Sequence, residues 1–313
     1  MVIKILGTGA VTTKPPEPQV GKFGPSILIT STNGNILVDI GKDVLEKTSK
    51  DELLNITDVL ITHGHRDAID GISILNKFLE ENKKRVNLYA LPQVLELIDL
   101  RSPGRNSDNF NLKPITNLKK EFEVNGIAVK AVKVFHAPNF STLAYNFDGV
   151  FFYGADFGPV FDEYETRYMS DQILAIMDGA YWDIQRMQNH VAVLPNLEYI
   201  LSLNNKFTYF TGMGNDWPSL AEADKVLKEK LDAYKKDHPD CKVQELRTVK
   251  EGEQFEIDMN KILPLDEHML MKPAFSVIMA DPSILSKISD KELLMTHLRL
   301  HEMWSLLGGK SNE

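Results

Sequence analysis

A short apolar run, Val59-Leu60-Ile61, leads directly into Thr62-His63-Gly64-His65-Arg66-Asp67. The run reads as a buried strand. Any fold for this chain must therefore carry a strand whose end opens onto two imidazoles and a carboxylate. Two histidines two residues apart on extended chain point the same way and can grip one ion. A carboxylate two residues further on can reach a second ion or orient the first set of ligands. Taken alone, the segment also fits a strand end where polar residues merely gather.

Two other strands end in the same way. Val132-Lys133-Val134-Phe135 runs into His136, and Phe151-Phe152-Tyr153 is followed shortly by Asp156. Loops at one end of a sheet are where sites are assembled. Three histidines and a carboxylate suit a zinc-like ion with one position left for water. One zinc is the expected cofactor, with manganese or iron as alternatives.

The remaining pattern sets the fold class. Ser26 to Thr30 and Asn35 to Asp39 flank Asn33-Gly34, a hairpin signal. Glu121 to Val134 alternates around Asn125-Gly126, and Thr142 to Phe147 pairs with Val150 to Tyr153 around Asp148-Gly149. The stretch from Asp43 to Lys50 reads as a polar helix, Arg101 to Asn111 as an exposed loop, and Asp171 to Met177 as helix then strand. Leu197 to Leu203 reads as a helix and Lys206 to Phe210 as a strand. Ser219 to Lys236 is an amphipathic helix stopped at His238-Pro239. A strand-rich first half and an alternating second half predict a layered α/β sandwich. Residues 1–258 are expected to form this domain. Residues 259–313, punctuated by Pro264, Pro273 and Pro282, are expected to form a C-terminal helical extension packing on it or on a partner subunit. No internal sequence repeat is evident.

Composition narrows the partners. The 313 residues carry a formal net charge of -9, which offers no broad basic field for a phosphate backbone and argues against nucleic acid. The single cysteine, Cys241, excludes an internal disulfide and a CxxC metal site. No apolar run approaches the roughly 18 residues of a membrane span. The N-terminal segment reaches Gly7 too early for a signal peptide. A cytoplasmic protein acting on a small molecule is expected, and a homodimer remains open.

The order of these segments resembles the metallo-β-lactamase superfamily over residues 1–258. The resemblance rests on Ile5-Leu6-Gly7-Thr8-Gly9-Ala10, Leu37-Val38-Asp39-Ile40-Gly41, the His63-x-His65-x-Asp67 run, His136, Tyr153-Gly154-Ala155-Asp156 and Asp178-Gly179-Ala180-Tyr181-Trp182. The ribonuclease Z and cyclic-phosphate phosphodiesterase branch is the most similar by pattern. The resemblance implies a four-layer αβ/βα sandwich with the site at one edge between two sheets. It implies that His63, His65 and His136 hold a first metal, that Asp156 bridges two metals and that Asp67 serves the second. Two departures stand out. Ala68 occupies the last histidine of HxHxDH, and Gly212 occupies a late-strand histidine, with Asn215 where another often stands. Both losses fall on the second metal, so one tightly held ion is expected.

The resemblance also implies that His190 protonates a leaving group with Asp178 as its orienting partner. A buried histidine satisfied by a carbonyl is the other reading of His190. His297 and His301, spaced i, i+4 near the C-terminus, suit either a metal face or an amphipathic helix. The functional expectation is a metal-dependent hydrolase of a phosphodiester or related ester, working through a metal-bound hydroxide with Asp67 or Asp156 as base. The alternative is a metal-binding pseudo-enzyme that lost catalysis with its second site. A non-haem iron oxidoreductase needs more hard ligands than the sequence offers.

Overall fold

Among the described residues, fourteen strands form two seven-stranded sheets with the same internal plan. The computed structural model describes residues 1–9, 24–41, 44–101, 106–137, 140–159 and 163–257. The first sheet contains β1 (Val2–Gly7), β2 (Ser26–Ser31), β3 (Gly34–Val38), β4 (Ile56–Leu60), β5 (Val86–Ala90) and β6 (Phe110–Pro114). The second contains β7 (Phe122–Val124), β8 (Ile127–Ala137), β9 (Phe140–Phe147), β10 (Phe151–Gly154), β11 (Leu174–Asp178), β12 (Phe207–Thr211) and β13 (Glu245–Thr248). The last strand, β14 (Gln254–Glu256), returns to the first sheet beside β1. Strand orders are β14-β1-β2-β3-β4-β5-β6 and β13-β12-β11-β10-β9-β8-β7. Each sheet starts antiparallel and turns parallel at its fourth strand, at β3–β4 in one and β10–β11 in the other. The topology thus repeats where the sequence does not.

Burial explains the strand compositions. Every residue of β10 and β11 is buried, so these strands read as unbroken apolar runs rather than alternating ones. One outer face of the second sheet is covered by helices Leu197–Ser202 and Leu220–Asp237, whose Leu197, Ile200, Leu227 and Leu231 join a core with Ala175, Met177 and Phe210. The long helix starts at a capping box, with Ser219 accepting from the Glu222 N–H and the Glu222 carboxylate taking the Ser219 N–H. The hairpins at Asn125-Gly126 and Asp148-Gly149 both place two successive residues at positive φ, the turn that matches strand twist.

This is the layered αβ/βα sandwich of the metallo-β-lactamase fold. Some local readings change. Asp43 to Lys50 is not one helix: Val44–Lys47 is a 3₁₀ turn and Lys50–Leu54 a short helix capped by Ser49. The expected loop to Asn111 contains the helical turn Asn106–Asn109 and the start of β6, whose terminal Pro114 suits an edge strand. The helix before β11 lies earlier, at Glu163–Met169. Residues 259–313, with His268, His297 and His301, lie outside the described residues. No helix among the described residues is long and apolar enough to cross a membrane.

The two sheets meet at the end where the site forms. Leu143 N–H donates to the Thr62 carbonyl at 2.9 Å, and the Tyr145 hydroxyl donates to the Ile61 carbonyl at 2.7 Å. Gly9 bridges to Met213, joining the exits of β1 and β12.

Candidate metal centre

His63 sits just past β4 and is almost fully buried. Its Nδ1 lies 2.9 Å from the Thr62 hydroxyl oxygen, and that hydroxyl donates to Asp39 Oδ2 at 2.8 Å. With its hydrogen committed to the carboxylate, Thr62 accepts from His63 Nδ1–H. The network therefore assigns the lone pair to His63 Nε2. That atom is buried and has no hydrogen-bond partner. It lies 3.3 Å from Asp156 Oδ2 and 3.7 Å from Asp67 Oδ1, which is itself buried and without a hydrogen bond. Burial, reinforced by three neighbouring histidines, holds the His63 pKa down to about 3 despite the pull of Asp156. His63 is therefore neutral at pH 7 and able to donate a lone pair.

His136 obeys the same logic. Its Nδ1 is 2.8 Å from the Asn189 carbonyl, which can only accept, so Nδ1 carries the hydrogen and Nε2 the lone pair. That Nε2 faces His65 Nδ1 at 3.0 Å. Two such nitrogens approach this closely only with a proton or a cation between them. The three rings pack edge to face with centroids 4.7 to 5.1 Å apart. Their ligand atoms lie within 4.8 Å of one another, as do those of His63, Asp67 and Asp156, and those of Asp156, Asp178 and His190. All seven residues expected at the site thus fall in one connected cluster. Ordinary buried polar atoms are paired; here His63 Nε2 and Asp67 Oδ1 are left over and face the same space, which fits a cation.

Two carboxylates behave differently. Burial pushes the Asp67 pKa up to about 7, with the charge of Asp156 adding to it. Burial acts on Asp156 as well, but His63, His136, His190 and His65 outweigh it and hold that carboxyl below its usual range. On the far side, His190 Nδ1 is 2.7 Å from Asp178 Oδ2. Asp178 also accepts the Phe157 and Ala180 N–H groups, so the shared proton belongs to His190. Burial alone would lower the His190 pKa; Asp178 and then Asp156 raise it to about 9.

The positions that depart from HxHxDH are built into the backbone. Ala68 is buried, and its carbonyl takes the Ile40 N–H at 2.7 Å. A Cβ on Gly41 would meet the Asp67 carbonyl at 2.5 Å, so the Asp67 turn packs against a glycine that no other residue can replace without movement. Gly212 has φ +70, a conformation a histidine adopts only under strain.

The Anti-Pycsar protein Apyc1 family model matches residues 1–208, well over half of the chain. The chain belongs to the anti-Pycsar Apyc1 family. No curated protein matches the sequence. Among solved structures, this Apyc1 family member is similar to a diphosphatase of the PhnP family, at 19% identity and TM-score 0.67, covering 82% of this chain and 98% of that one. It is also similar to the metallo-β-lactamase fold protein YhfI from Bacillus subtilis, at 15% identity and TM-score 0.63, covering 82% and 99%. Human tRNase Z, short form, matches at 16% identity and TM-score 0.59, covering 83% and 100%. These likenesses establish the fold.

Asp39 and Thr62 join the cluster through contacts leading to His63 that the sequence motifs do not disclose. Asp39 stands at φ 60, unusual for a residue with a side chain, and takes both the Thr62 N–H and hydroxyl. In the sequence Asp39 stands only as part of the Leu37-Val38-Asp39-Ile40-Gly41 segment of the resemblance, with no role attached. Thr142, Tyr153 and Asn189 each leave a buried polar atom unpaired, and spacing offered no sign of this.

Proposed function

We propose that the protein is a metal-dependent hydrolase of a small-molecule phosphodiester or related ester, holding one zinc ion on His63 Nε2, His65 Nδ1 and His136 Nε2 beside Asp156. The observation that carries this reading is the convergence of three imidazole ligand nitrogens within 4.8 Å of one another, with His63 Nε2 and Asp67 Oδ1 buried and unpaired beside them. When bound, such an ion supplies positive charge that polarises a phosphoryl oxygen and eases deprotonation of water. Asp67, with a pKa near 7, is matched to accept the proton of an attacking water at neutral pH. His190, kept as an imidazolium by Asp178, is matched to deliver a proton to the departing oxygen. Family membership supports a role directed against Pycsar, and the names of two fold-mates, a diphosphatase and a tRNase, accord with phosphoester chemistry. A cytoplasmic location and a possible homodimer complete the proposal.

Ala68 and Gly212 favour one further reading, a metal-binding module without turnover, because they remove the imidazoles of a second site. A substrate screen separates the two. The zinc- or manganese-loaded protein is assayed with bis(p-nitrophenyl) phosphate, phosphonate and lactone esters. Hydrolysis that disappears in His190→Ala supports the enzyme, and inertness toward every ester supports the module.

A further inference from the structure

The segment from Tyr181 to His190 is fixed in place yet presents unusually exposed side chains. Tyr181 is held in a two-sided ladder, its N–H donating to the Val191 carbonyl and its carbonyl accepting from Val193. Trp182 N–H donates to Asp216 at 3.0 Å, and Gln185 ties Ala192, Asn196 and the His190 carbonyl together. A segment pinned this firmly can hold its side chains in one place. Even so, Ile184, Met187 and Arg186 are more than half exposed. Large apolar groups exposed on a rigid mount mark a recognition surface rather than a loose loop.

Its position relative to the chemistry is defined by rings. His136 and His190 have centroids 4.7 Å apart, and Tyr181 lies 5.9 Å from His190 at an interplanar angle of 85°. The Arg186 guanidinium stands over the Tyr181 ring, 5.9 Å from its centroid. Its nearest carboxylate, Asp216, is 3.9 Å away and already accepts the Trp182 N–H. A half-exposed aromatic ring carrying a cation, one ring removed from His190, is suited to a flat, electron-rich group on an anion.

We propose that Tyr181 and Arg186 form the recognition edge for the ester group that stays on the phosphorus, and that this group carries a planar ring. The proposal rests on the hydrolase reading for its substrate, though the edge itself can be tested without turnover. Bis(p-nitrophenyl) phosphate and methyl p-nitrophenyl phosphate share a leaving group and differ only in the group retained. The wild type should show a KM roughly tenfold lower for the bis-aryl ester, the range set by one stacked ring. In Tyr181→Ala and Arg186→Ala the ratio of the two KM values should collapse toward one, while Tyr181→Phe keeps it. Unchanged zinc content would show that these variants fold. A ratio untouched in Tyr181→Ala would overturn the proposal, as would a wild-type dimer that Arg186→Ala converts to monomers, since the edge would then serve a second copy. If neither ester is turned over, saturation-transfer NMR with bis(p-nitrophenyl) phosphate takes over. Ring protons saturated by the wild type but not by Tyr181→Ala would sustain the edge while the hydrolase reading fails, and equal saturation would remove the edge.

Discussion

Thr62 does two jobs with one hydroxyl: it donates to Asp39 and accepts from His63, and so fixes which ring nitrogen faces the site. Asp39 accepts a strained backbone, costing roughly 1–3 kcal/mol, to reach it. Outer partners of this kind typically govern metal affinity by about 10- to 100-fold. Thr62→Val should therefore weaken zinc binding by about that factor, read by competition with a chelator; an unchanged affinity would mean that His63 orients itself. Titration gives a second expectation for the metal-free protein. An unfolded histidine titrates near 6.5, whereas His63 in the fold titrates near 3. A lowered folded pKa means that the unfolded chain binds the extra proton. Stability is thus complete above about 6.5 and is lost as pH falls toward 3, by up to roughly 5 kcal/mol. Melting curves of chelated wild type and His63→Gln should converge as pH is lowered through this window. The proposed ligands were legible because they are local: His63, His65 and Asp67 follow one strand, His136 lies at the end of a second, and Asp156 follows a third. The Asp39–Thr62 link was not, because it depends on a positive φ and on two segments meeting.

Strands and helices were legible where burial dictates their composition. The all-buried β10 and β11 and the capped helix Leu220–Asp237 declare themselves, whereas β13 and β14 do not. The last two are four and three residues long, partly exposed, and exist through their neighbours rather than their own propensity. The helix at Glu163–Met169 was misplaced for a related reason: only Met169 of its residues is buried, so its apolar periodicity is weak. The long helix supplies a graded test of what holds the second sheet. Ser219→Ala removes the cap and should cost about 1 kcal/mol. Leu227→Ala opens a hole in a fully buried position and should cost about 2–5 kcal/mol. Denaturant unfolding should rank them in that order without altering zinc content. The reverse ranking would mean that the helix is held by its end rather than by its face.

Across the whole described unit, two sheets of identical plan are tied near the site and along the β13–β14 edge. Near the site the ties are the Thr62, Ile61 and Gly9 contacts. Elsewhere, Arg247 on β13 pairs with Glu253 through both its terminal nitrogens, at 3.1 and 2.5 Å, and lies 4.1 Å over the Tyr209 ring. It also reaches the Phe255 ring on β14, in the other sheet. Lysine cannot reproduce the fork or the stacking, so Arg247→Lys should lower the Tm by about 2–4 °C, the shift for roughly 1 kcal/mol in a unit of this size. A Tm equal to wild type would show that the edge is held by strand pairing alone. The central claim, that three imidazoles share one ion, is tested most directly by counting that ion. Elemental analysis after dialysis against a weak chelator should find one zinc per chain in the wild type and in Ala68→Ser, and almost none in His63→Gln or His136→Gln. Zinc absent from the wild type, or equally retained in those two histidine variants, would contradict the account.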